Sequence, residues 1–75
     1  MPRHNPVLDL PECKELLGLP DASRIALARA LCGLASAADT KADISWRRRK
    51  APMAAYWRAV SIYARHIARA LKGGR

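Results

Sequence analysis

No phenylalanine and no glutamine occur among the 75 residues, and Asn5 is the only asparagine. The first absence, with aromatics at only 5%, excludes a core built on large rings. The others leave few side chains able to read base edges in a nucleic-acid groove. No apolar run approaches the ~18 residues of a membrane span. Met1-Pro2-Arg3-His4-Asn5-Pro6 has no apolar stretch of the kind a signal peptide needs, so a cytoplasmic protein is expected. Nothing suggests a strand, a repeat or a low-complexity tract.

Catalytic groups are equally sparse. The two histidines, His4 and His66, belong to no linked motif, and no second ligand stands four residues from His66. Ser36 and Ser61 lack a base or acid partner in sequence. Cys13 and Cys32 show neither metal-like spacing nor a CxxC, and read as half-buried thiols, with a disulfide pinning two helices as the lesser alternative. Asp39 and Asp43, four apart, read as helix-start charges, because a paired-carboxylate acid/base site needs an apolar pocket that a chain this short scarcely builds. A non-enzyme without metal or cofactor is expected.

What the chain has is alanine. Fifteen of its 38 hydrophobic residues are alanines. Alanine is the best helix former but buries little area. Helices should therefore form readily around a thin core, which favours a homo-oligomer or a partner-stabilised protein.

The other asset is charge of one sign in one place. All six acids precede residue 44, where they meet five bases, whereas residues 44–75 carry nine bases and no acid. Such a block repels itself and calls for a counter-charged partner.

The fold expected is all-α, a bundle of three to four helices over residues 8–75 behind an extended arm at 1–7. Asp9 and Glu12 resemble a capping box ahead of a short helix that Gly18 ends. Pro20 opens a second helix, whose Ile25, Leu27, Ala28, Leu31, Cys32, Leu34 and Ala35 cover over half its circumference, with a bend near Ser36 to Asp39. A third stretch, capped by Asp39 or Thr40, runs to about Arg49. Pro52 then starts the longest helix, to about Lys72, which Gly73-Gly74 stops. A helix-turn-helix with its turn at Cys32–Ala37 fits poorly, since Asp39 and Asp43 would face phosphates.

Along the last helix Met53, Trp57, Val60, Ala64, Ile67 and Leu71 recur at alternating spacings of four and three. That is a heptad seam, intramolecular or between two copies of a homodimer. Arg58, Arg65, Arg69 and Lys72 form a basic stripe on the other side, about 21 Å long at 1.5 Å per residue. Trp46-Arg47-Arg48-Arg49-Lys50 is the strongest chemical feature, because four successive cations cannot all turn inward. With the start of the next helix they make a phosphate-friendly corner. Trp46 is expected in the core, with stacking on a base or sugar as its alternative.

These features point to a small basic nucleic-acid-binding protein, DNA foremost, that serves as an accessory or regulatory factor. Trp46, Arg47, Arg48, Arg49, Lys50, Arg58, Arg65, Arg69 and Lys72 would contact the partner. The alternative is a protein-binding modulator of the size class found among phage and plasmid inhibitors, covering an acidic or nucleic-acid-binding site on a larger protein.

Overall fold

The computed structural model describes residues 6–73. A 3-10 turn at Pro6–Asp9 leads into α1 (Pro11–Leu17), followed by α2 (Asp21–Arg47) and α3 (Ala51–Gly73). No strand occurs among the described residues. The fold is the small all-α bundle expected, and its dominant object is the antiparallel hairpin of α2 and α3. Of the arm expected at 1–7, residues 1–5 lie outside the described part, and Pro6 and Val7 belong to the 3-10 turn.

Local chemistry accounts for most boundaries. Pro11 occupies the first position of α1, and the helix closes at Gly18, whose N–H donates to the Glu15 carbonyl at 3.1 Å while the Leu19 N–H donates to the Leu16 carbonyl at 3.2 Å. The cap differs from expectation: Leu10 holds the N-cap position with no side-chain bond, and Asp9 ends the 3-10 turn. Pro20 caps α2, and Asp21 sits in its first turn, where a carboxylate suits the dipole.

The bend expected at Ser36–Asp39 and the separate third helix are absent. α2 runs unbroken for 27 residues, or about 40 Å. Nothing there interrupts it: no proline intervenes, and Ala35, Ala38 and Ala42 carry the buried stripe through. Thr40 donates its hydroxyl to the Ser36 carbonyl at 3.3 Å, the back-bond of a mid-helix threonine rather than a cap. Asp39 is committed across the hairpin, as described below. The loss of that break also removes the helix-turn-helix, whose turn would have been Cys32–Ala37.

The hairpin closes on small side chains. On α2 the buried positions are Ala28, Ala35, Ala38 and Ala42; on α3 they are Ala54, Ser61, Ala64, Ala68 and Leu71. Both sets keep spacings of seven, or of three and four. This is the heptad expected for α3, but its inward face is turned by roughly 50°. Ala64 and Leu71 belong to both versions. Ala54, Ser61 and Ala68 replace Met53, Val60 and Ile67 as the residues fully inside. Helices approach most closely where side chains are small, so the axis of contact follows alanine and serine, and larger apolar groups flank it. Ala64 is 4% and Leu71 0% exposed, so the six-residue seam is not one surface open to a second copy.

Among the described residues the apolar core cluster lies at the root of the hairpin. Ala28, Ala68 and Leu71 meet there, with Leu16 and Leu17 of α1 and Leu27, Leu31, Cys32 and Ile67 packed around them. Arg24 fastens the same end. Its guanidinium donates to the Leu71 carbonyl at 2.9 Å and the Leu19 carbonyl at 3.0 Å, and pairs with Asp21. Cys13 is buried, Cys32 half-buried, and both are free thiols. Toward the turn the large apolar groups stay open. Leu34, Met53, Tyr56 and Tyr63 are each about half exposed, as is Ile25 near the root. The broad burial expected for α2 is thus confined to its alanine stripe.

Candidate nucleic-acid interface

Geometry divides the eight basic candidates into three groups and sets Trp46 apart. Arg58 and Arg65 form the first. Arg58 donates one guanidinium nitrogen to Asp39 Oδ1 at 2.9 Å and the other to Asp43 Oδ1 at 3.2 Å. Arg65 reaches Asp39 Oδ2 at 2.8 Å and also donates to the Ser61 hydroxyl. Two carboxylates one turn apart on α2 therefore hold two arginines two turns apart on α3. Ser61 is fully buried beneath this clasp and hydrogen-bonds the Asp39 carboxylate. That bond, then the Arg65 guanidinium, then the field of both arginines hold the Asp39 carboxyl below the usual carboxylate range. Asp39 and Asp43 are not helix-start charges. They neutralise half of the stripe expected to face a partner. Ser61, with no exposed surface, offers no nucleophile to a substrate.

The second group, Arg69 and Lys72, lies exposed near the C-terminal end of α3. With Cys32, Arg65 and Ala68 these residues line a groove of about 190 Å³.

The third group is the turn. Arg47 ends α2; Arg48, Arg49 and Lys50 lead into α3. All four are exposed, and none has a carboxylate partner among the described residues. The backbone that displays them is fixed. The Lys50 N–H donates to the Ser45 carbonyl at 2.8 Å, and the Arg49 N–H to the Trp46 carbonyl at 3.0 Å. This paired closure is the Schellman motif. It requires a left-handed residue at Arg49, whose φ is 59°. Glycine normally fills that position, and an L side chain there costs about 1 kcal/mol. The Ala54 N–H completes the passage by bonding the Lys50 carbonyl at 3.0 Å, and Pro52 sits in the first turn of α3, where its lack of an N–H is harmless.

Trp46 corrects the core expectation. It is 68% exposed, the most open large apolar side chain among the described residues. Its indole stands between two clefts. One, of about 400 Å³, is lined by Ala42, Asp43, Ala51, Ala54, Ala55 and Arg58. The other, of about 390 Å³, is shared with Arg49 and Ala51. The reason is positional: the neighbours toward α3 at this level are alanines, which are too short to cover a tryptophan. Trp57, by contrast, is half-buried, edge-on to Tyr56 at 5.0 Å and under the Lys41 ammonium at 5.8 Å.

Of the remaining candidates, His66 is half-buried. No group of three histidine, cysteine or acidic residues suited to a metal occurs among the described residues. No described helix is long and apolar enough to cross a membrane. No family model, curated protein or solved structure matches the chain, so the geometry carries the functional argument alone.

Proposed function

We propose that this chain is a non-enzymatic nucleic-acid-binding protein, an accessory or regulatory factor acting on DNA, which grips phosphates with Arg47, Arg48, Arg49 and Lys50. One observation carries the proposal: these four cations are exposed at one end of the hairpin with no carboxylate partner among the described residues, while Arg58 and Arg65 are already neutralised from within. The track along α3 is thereby shortened. Arg69 and Lys72 sit roughly 28 Å and 33 Å from Lys50 at the helical rise and serve as a secondary contact. Affinity is electrostatic and indifferent to sequence, because these side chains position a backbone rather than read bases.

Salt dependence tests the proposal. Four phosphate contacts on duplex DNA give a slope of about −3.6 for log affinity against log salt. Eight would give about −7. Absence of any duplex or single-strand binding at ~50 mM salt ends the proposal.

The open apolar groups favour a second reading, a protein partner or a second copy of this chain. Leu34, Met53 and Tyr63 are large, apolar and half exposed, and the core they flank is thin. A homodimer through this side separates in sedimentation on Met53→Glu without loss of helicity, since Met53 is 44% exposed already. A modulator that covers a site on a larger protein is told apart by capture from nuclease-treated lysate: a protein partner survives the nuclease, a nucleic acid does not.

A further inference from the structure

Trp46 is not needed to hold phosphates, and the fold does not use it. At 68% exposure it contributes little to the core, in a chain whose largest fully buried side chains are Leu71 and Ser61. Its indole is left open to a ligand at a turn whose four cations have no carboxylate partner among the described residues. The covering group must be flat and apolar on its faces, because the clefts on either flank are shallow and floored by alanine. It must also arrive joined to negative charge, because Arg49 lines one of these clefts and Arg47, Arg48 and Lys50 belong to the same turn.

An unpaired nucleobase on its phosphate backbone meets both demands. Base-on-aromatic stacking with cations tracking the backbone is how proteins hold single strands. A base inside an intact duplex is stacked on its neighbours and offers no free face, so a duplex meets the cations but not the indole. Resting on the nucleic-acid reading above, we propose that the turn is a site for single-stranded nucleic acid: one unpaired base stacks on Trp46, and Arg47, Arg48, Arg49 and Lys50 hold the flanking phosphates. The strained backbone at Arg49 supports this. The left-handed residue of the motif is an arginine that lines one of the two Trp46 clefts, placed to meet the phosphate of a nucleotide whose base stacks there.

Three probes separate the contributions: a thymidine oligonucleotide of about a dozen residues, a duplex of the same length, which carries twice the charge, and inorganic polyphosphate of about a dozen phosphates, which has the charge without the bases. The full chain should bind the single strand at least tenfold more tightly than the duplex or polyphosphate, in line with the ~1–3 kcal/mol of one stacked base. Trp46→Ala should lose that tenfold on the single strand alone, and Trp46→Phe should keep most of it. Circular dichroism of both variants should match the parent, because the side chain is exposed. Equal binding of all three probes, or a Trp46→Ala variant that binds the single strand unchanged, overturns the stacking site while leaving electrostatic nucleic-acid binding intact. Binding of none of the three overturns both, and Trp46 then belongs to a protein contact.

Discussion

The middle of the hairpin and its turn are made from the same basic residues and end in opposite electrostatic states. In the middle, Asp39 and Asp43 close on Arg58 and Arg65, and the four charges cancel. At the turn, Arg47, Arg48, Arg49 and Lys50 add, with no carboxylate partner among the described residues. The sign of a side chain therefore says little about its availability. What decides is whether the facing helix brings a carboxylate to the same level. Two of these six cations hold the hairpin shut, and the four at the turn stay exposed.

The comparison breaks most completely if the helices are forced apart. Ala35→Leu inserts a large side chain where the neighbours are fully packed. Overpacking of this kind costs about 1–3 kcal/mol, a large share of what so small a domain possesses. Thermal denaturation should show a strongly lowered midpoint or no folded state. An unchanged midpoint would mean that the helices do not meet at this alanine.

The next largest effect falls on the turn alone. Arg47→Ala, Arg48→Ala and Arg49→Ala together should flatten the salt slope by about 2–3 units and leave the helical signal in place. The matching double change, Arg58→Ala with Arg65→Ala, should do the reverse: lower stability and a nearly unchanged slope. If the two variants behave alike, the division between middle and turn is wrong.

A sharper test converts one region into the other. Asp39→Asn removes the carboxylate that both arginines share and should release Arg65 toward solvent while Arg58 keeps Asp43 alone. Affinity for a polyanion should rise and its salt slope steepen by about 1 unit, while stability falls modestly. Acid should do the same to stability. The Asp39 carboxyl is held below its ordinary value by Ser61 and Arg65, so its contribution is complete above the unfolded pKa near 3.8. That contribution is lost as pH falls through the lower folded value. Denaturation midpoints measured from pH 6 to pH 2 should show a loss below about pH 4 that Asp39→Asn lacks.

The smallest effect is at Arg49. Arg49→Gly should relieve the left-handed strain and stabilise the fold by up to about 1 kcal/mol, while reducing the slope by about 0.9. A variant that is both more stable and a weaker binder would show a cation kept at the expense of the fold. If Arg49→Gly destabilises the protein, the Arg49 side chain holds the turn together.

Much of this architecture was legible from sequence, and particular residues show why. Gly18, Pro20 and Pro52 marked boundaries through backbone chemistry that tertiary packing cannot override. The heptad of α3 was readable because its period survives whichever face is inward. Its rotation was not, because hydrophobicity ranks Met53, Val60 and Ile67 above Ala54, Ser61 and Ala68, whereas close helix approach ranks them the other way. α2 read as two helices because Asp39 and Thr40 are good capping residues; Thr40 instead bonds back to the Ser36 carbonyl, and the other use of Asp39 depends on Arg58 and Arg65, nearly twenty residues or more away. The signal was nonetheless present: acids four apart facing arginines seven apart match once the chain is folded at Lys50. Trp46 was misplaced because tryptophan is usually core, and only the alanines opposite it leave it uncovered.

The arrangement at the root bears on how this molecule opens. In a hairpin, pairs near the turn are close in sequence and cheap to bring together, as Ala42 and Ala54 are. Ala28 and Ala68 must close a far longer loop. Left to themselves the helices would zip from the turn and fray at the root. The short α1, the Arg24 bond to the Leu71 carbonyl and the one large buried leucine all sit at that distal end, where fraying would begin. Amide exchange should therefore be slow at both extremities of the hairpin rather than graded from turn to tip. Deleting residues 1–19 should turn the protein into a molecule that breathes from its open end while the basic turn stays formed.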